Sequence, residues 1–211
     1  MLVFGHAGIT LGAVTLLNGL LTGVTSRGQK TYHEPEPDDN ASGKPGGPFS
    51  WFVRLNRRLD LRILLVGSLL PDIIDKPLGH ILFREYLSSG RTFTHTLLFT
   101  ILIALGGLFL RYRTGKTWLL ALAIGTFAHP ILDEMWLQPW RITLLWPLYN
   151  LEFPKAELTG WAGNLWDALL HEPAVYIPEI IGAAVIILLL WTLLRNGRLP
   201  GFLKHGRLTD I

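Results

Sequence analysis

Residues 7–26 read AGITLGAVTLLNGLLTGVTS, twenty consecutive residues without a charge. At about 1.5 Å per residue such a helix covers the ~30 Å hydrocarbon core of a bilayer. A cleaved signal peptide would carry its basic residues ahead of the apolar run, whereas the first here, Arg27, follows it. A retained transmembrane helix is therefore expected. Residues 93–110 (FTHTLLFTILIALGGLFL), 117–132 (TWLLALAIGTFAHPIL) and 177–194 (IPEIIGAAVIILLLWTLL) repeat the pattern. Residues 61–83 (LRILLVGSLLPDIIDKPLGHILF) begin as a span, but Pro71 is expected to end the helix and Asp72, Asp75 and Lys76 add charge. This segment reads as a broken or short span whose second half lines a polar cavity, since irregular backbone at membrane depth is tolerated only there. The expectation is an all-α, polytopic membrane helix bundle of about five spans, forming a single domain over residues 1–211.

Composition excludes the alternatives. Of 211 residues 49% are hydrophobic and 17% charged, against about 25% charged in an average soluble domain, and the mean hydropathy is +0.34. Disorder, collagen and coiled coil do not tolerate this balance. The chain has no cysteine, which removes disulfides, thiolate metal sites and a cysteine nucleophile.

Basic residues set the expected orientation. Segments 26–62, 111–116 and 195–211 hold fourteen Lys and Arg, and the complementary segments 76–92 and 134–176 hold five. With five spans this places the N-terminus outside and the C-terminus in the cytoplasm of a plasma-membrane protein. Residues 26–50, with eight Gly or Pro in 25, are expected to form a flexible cytoplasmic loop that includes His33. Residues 51–60 (WFVRLNRRLD) read as an interfacial helix, and 195–211 as a cytoplasmic tail. Segment 134–176 carries five of the eight tryptophans and is expected to be an outer, Trp-rich interfacial segment.

Ionisable groups in or beside spans are costly, so each requires a reason. On this topology His6 stands at the outer start of the first span and Asp72 and Asp75 at the outer end of the second. His95 opens the third, and His129 and Asp133 close the fourth. Four separate elements thus bring His and Asp to one depth. His129 and Asp133 are four apart and share a helix face, while Asp72 and Asp75 can point into one cavity. Imidazole and carboxylate without thiolate suit a divalent metal, Zn²⁺ first, with Mn²⁺ or Fe²⁺ as alternatives, rather than Ca²⁺. His6, Asp72, Asp75, His95, His129 and Asp133 are the expected ligands. His80, Glu134, His171 and Glu172 lie nearby but lack a spacing that ties them to the set.

The pieces His6-Ala-Gly-Ile-Thr10, Gly67-Ser-Leu-Leu-Pro-Asp72-Ile-Ile-Asp75, Arg91-Thr-Phe-Thr-His95-Thr-Leu-Leu-Phe99, His129-Pro-Ile-Leu-Asp133 and Leu145-Trp-Pro147 occur in an order that resembles the membrane-bound, metal-dependent hydrolase family called YdjM-like. The resemblance covers most of residues 1–150. It implies that the His and Asp residues of these motifs ligate metal and that the activity is hydrolysis. The arginine-glycine usual before the Thr-His pair reads Arg91-Thr-Phe here, which keeps the arginine and alters its turn.

The expected function is a metal-dependent hydrolase acting at the outer face on a phosphoester or diphosphate of a lipid or lipid-linked substrate. Asp75, or else Asp133, would act as general base, and Arg91 would hold phosphate. Membrane lipid is the expected partner. Nucleic acid is excluded because the basic residues lie on the opposite side from the cluster. The alternative, a divalent-metal or proton transporter using the same cluster, would need polar residues continuing inward. Residues 100–110 and 180–190 are nearly all apolar.

Overall fold

The computed structural model describes residues 1–28, 59–155 and 161–207, and every regular element among them is helical. Helix α1 is Val3–Gly28 and α2 is Leu61–Pro77. A π-helical turn, Leu78–Leu82, and a short α3, Arg84–Leu87, lead to a 3₁₀ turn, Phe93–His95. Then come α4, Leu97–Thr114, α5, Trp118–Leu132, and α6, Arg141–Leu144. Helix α7 is Trp161–His171, α8 is Pro173–Arg195, and α9 is Leu199–His205. The expected loop from residue 29 onward, with His33, and the expected interfacial helix up to residue 58 lie outside the described residues.

Contacts between the long helices run in the order α8, α1, α2, α5, α4, with α1 also touching α5. Two close crossings hold this layer together. A Cβ on Gly8 would sit 2.0 Å from the Gly182 carbonyl oxygen, and one on Gly182 would sit 1.9 Å from the Phe4 oxygen. Only glycine at both positions lets α1 and α8 approach so closely. Gly67 and Gly125 do the same for α2 and α5, their Cβ positions lying 2.3 Å from the Leu122 oxygen and 2.2 Å from the Leu64 oxygen. Close backbone approach through small residues is how helices gain dispersion energy where lipid removes the hydrophobic drive. The matched positions make α1 parallel to α8. At the end away from the site, Leu11, Leu61, Leu64, Leu193 and Phe202 form a buried cluster that ties α9 back to the bundle. Asp60 caps α2 there, accepting from the Arg62 amide (3.0 Å) and pairing with its guanidinium (2.6 Å). Partial burial pushes the Asp60 pKa up, but the hydrogen bonds and charge of Arg62 outweigh it and hold the carboxyl below its ordinary value.

Two helices, Leu97–Thr114 and Pro173–Arg195, are long and apolar enough to cross a membrane, and little of either is buried. Leu102, Leu105, Leu108 and Phe109 on α4, and Ile180, Ile187, Leu188 and Trp191 on α8, are exposed, as for helices solvated by lipid rather than enclosed in a soluble core. The apolar part of α1, Val3–Leu17, and α5 are shorter. Of the five expected spans, two meet the length and composition requirement among the described residues.

One expectation is overturned. Pro71 does not end the second helix, because α2 continues through it to Pro77. Proline supplies no N–H to the carbonyl four residues back, and that carbonyl, Gly67, instead accepts from Thr126 Oγ1 of α5 at 3.3 Å. Asp72 and Asp75 therefore stand on a helix, not in a turn. A second boundary also moves. Residues 93–96 do not begin the next span as α-helix, which starts at Leu97 with Thr96 as its cap, the Thr96 hydroxyl accepting from the Phe99 amide (3.0 Å).

Candidate metal centre

The start of α1, the ends of α2 and α5, and the turn before α4 meet at one end of the layer, and all six expected ligands are there. His6, Asp75, His95 and His129 are fully buried. The Asp72 side chain is 13% exposed and that of Asp133 3%.

Two trios can be distinguished. Asp72, His95 and His129 form one, and His6, His129 and Asp133 the other, the donor atoms within each lying within 4.8 Å of one another. In the first, His95 Nε2 lies 3.2 Å from His129 Nε2, and Asp72 Oδ1 lies 3.5 Å from the former and 3.6 Å from the latter. Ligands about 2.0–2.1 Å from a tetrahedral zinc are spaced roughly 3.3–3.4 Å apart by geometry, so the three observed spacings suit one ion. The protonation pattern agrees. His129 Nδ1 lies 2.7 Å from the Ser68 carbonyl, which can only accept, so Nδ1 carries the hydrogen. His95 Nδ1 lies 2.7 Å from Asp75 Oδ2 and donates in the same way. In neutral imidazoles both Nε2 atoms are then bare acceptors. They face each other and a carboxylate oxygen, which a shared cation would reconcile.

Asp75 stands behind His95 rather than between the donors. Its Oδ2 also accepts from the amides of Thr92 (2.7 Å) and Thr94 (3.1 Å). The carboxylate belongs to neither trio and has the position of an outer partner that fixes a ligating imidazole's tautomer and ring plane. Asp72 turns its second oxygen to Lys76 Nζ at 2.5 Å, one turn on. Thr94 Oγ1 donates to the Pro71 carbonyl (3.1 Å), fastening the His95 turn to α2.

In the second trio His6 stacks on His129, ring centroids 4.0 Å apart. Its Nε2 is 3.1 Å from Asp133 Oδ1, an ion-pair contact, and its Nδ1 has no hydrogen-bond partner among the described residues. An orphaned buried nitrogen is costly, and an ion is one way to satisfy it. Asp133 Oδ1 also takes the Met1 amino group at 2.9 Å. Its Oδ2 takes Arg91 Nε at 2.9 Å and Nη2 at 2.8 Å. The Arg91 guanidinium lies over Trp140, 4.5 Å from the ring centroid, and its side chain is 30% exposed. Asp133 further lines a cavity of about 430 Å³ with Glu134, Leu132, Pro173 and Ile177.

Of the nearby residues left open by sequence, Glu134 is exposed in left-handed backbone (φ 52°) beside Asp133. His171 pairs with Asp167 at 3.0 Å on the surface. Glu172 is the N-cap residue of α8, but its side chain makes no cap hydrogen bond. His80, in the π-helical turn, belongs to neither trio. Sequence reasoning passed over Glu179, a buried carboxylate of α8 that accepts three amides from the start of α1. Its signal was plain: it is an ionisable residue inside the apolar run 177–194.

The family model described as YdjM inner membrane protein matches residues 1–199. No curated protein and no solved structure matches the chain.

Proposed function

This chain belongs to the YdjM inner membrane protein family, and from that premise we propose that it is a membrane-embedded, metal-dependent hydrolase of a phosphoester or diphosphate in a lipid or lipid-linked substrate. The observation that carries this reading is the convergence of Asp72 Oδ1, His95 Nε2 and His129 Nε2. Those three would hold the ion, zinc by preference, and His6 offers a further nitrogen. A bound divalent ion supplies Lewis acidity, lowering the pKa of water and neutralising phosphoryl charge.

The remaining work falls to the chain's own groups. Asp75 orients His95. Asp133, ion-paired on both oxygens by the Met1 amino group and Arg91, seats the guanidinium at the cluster. Arg91, held at the rim by Asp133 and Trp140, keeps part of its guanidinium edge for a phosphate oxygen. A centre at one end of a layer of apolar helices suits a substrate that arrives through the bilayer.

The five-span arrangement with the N-terminus outside remains our reading of the topology. It is supported by the parallel pairing of α1 with α8, since the first and fifth spans must run the same way. The test of function is release of phosphate or phospho-headgroup from phospholipid and polyprenyl diphosphate in detergent, by metal-loaded and chelated protein. Metal-dependent release supports the hydrolase. No release, together with metal uptake into liposomes, would favour a transporter.

A further inference from the structure

We propose that Glu179, a residue of α8, is a positioning residue for His6. The first amides of an α-helix have no acceptor within the helix, and a cap normally comes from the residue just before it. Here the acceptor comes from the far end of the chain. Glu179 Oε1 accepts from the Leu2 amide at 2.6 Å and the Gly5 amide at 3.0 Å, and Oε2 accepts from Phe4 at 2.9 Å. The next amide, that of His6, is the first to close on a carbonyl of its own turn, Leu2, at 3.3 Å. The carboxylate thus clamps the turn immediately before the imidazole.

The seat is built for it. Glu179 is 7% exposed, a costly place for a carboxylate unless its hydrogen bonds are made, and its charge complements the positive end of the α1 dipole. Gly5 leaves the space the carboxylate occupies, since a Cβ there would lie 2.5 Å from Oε1. Three residues further along each helix is the Gly8–Gly182 contact, so α1 cannot slide or rotate on α8 without breaking both. His6 makes no hydrogen bond of its own through either ring nitrogen among the described residues. Its place therefore depends on its backbone, on stacking against His129 and on the 3.1 Å contact of its Nε2 with Asp133 Oδ1. Glu179 supplies the backbone constraint.

The consequence for metal binding rests on the reading of the cluster as a metal centre, and the experiment separates the two. Cobalt(II) is titrated into the purified whole chain, wild type against Glu179→Ala, Glu179→Gln and Gly5→Ala, and followed by its visible bands. Glu179→Ala and Gly5→Ala are expected to weaken cobalt binding by about 10–100-fold, the usual loss when an outer partner is removed, and to alter the bands. Glu179→Gln, which keeps one acceptor oxygen, is expected to lie between. A folded Glu179→Ala with wild-type affinity and bands would overturn the proposal. If that variant does not fold, Glu179→Gln and Gly5→Ala carry the same comparison, with wild-type behaviour in both as the contrary result. If the wild type takes no cobalt, the metal reading fails and Glu179 is judged on His6 alone. Faster carbethoxylation of His6, and faster amide exchange over residues 2–6, in the variants would then support positioning. Unchanged rates would overturn it.

Discussion

The Nε2 atoms of His95 and His129 face each other at 3.2 Å, while the Nδ1 atom of each ring is engaged at 2.7 Å, by Asp75 and by the Ser68 carbonyl respectively. Two imidazoles tethered from behind in this way cannot turn aside to donate to one another in their neutral forms. With Asp72 Oδ1 beside them they make a pocket of lone pairs that a divalent cation would fill.

Asp75 separates orientation from proton transfer. If it fixes His95, Asp75→Asn weakens metal affinity by about 10–100-fold and activity falls with it. Isothermal or competition titration of the variant checks this. Unchanged affinity with turnover reduced by about 10²–10⁴, the typical loss of a general base, would return Asp75 to the role expected from sequence.

Protonation should empty the site. Imidazole ligates only through an unprotonated nitrogen, and an unperturbed imidazole titrates near 6.5. Protons therefore compete as pH falls, and bound metal should be released progressively as pH is lowered and retained as it is raised. Metal content after dialysis across pH 5–8 measures this. Occupancy that does not change over that range would argue against histidine ligands.

How much of this was legible in sequence varies by residue. His6, Asp72, His95, His129 and Asp133 could be gathered because span topology alone sets depth, and the structure brings them to one end of the layer. The direction of Asp75 was not legible, since whether a carboxylate faces the ion or a ligand's back depends on where the Thr92 and Thr94 amides fall. The passage of α2 through Pro71 was hidden as well. It depends on a donor, Thr126, on a helix whose neighbours a local reading does not know. Glu179 was legible as a carboxylate inside an apolar run, but its partners, the amides at the start of α1, lie at the far end of the chain.

That passage through Pro71 is itself testable. Thr126→Val removes the hydroxyl that donates to Gly67 and keeps the side chain's shape. A net loss of about 1 kcal/mol is expected, seen as a lower thermal midpoint in detergent. A midpoint equal to wild type would mean the Gly67 carbonyl is satisfied in another way.

The orientation predicts unequal labelling of two exposed positions. Lys116 lies between α4 and α5, and Tyr149 in the Trp-rich segment is 60% exposed. The chain has no native cysteine, so Lys116→Cys and Tyr149→Cys each give a single probe. In intact cells an impermeant thiol reagent should reach only the second. Labelling of the first alone would invert the topology.

Whether the converging donors hold a metal ion is read by elemental analysis of the purified protein beside His129→Ala, because His129 belongs to both trios. Close to one equivalent of a divalent transition metal, zinc foremost, is expected in the wild type, and its loss in the variant while the fold is kept. A wild type without stoichiometric metal, or a His129→Ala variant that keeps the same metal content, would contradict it.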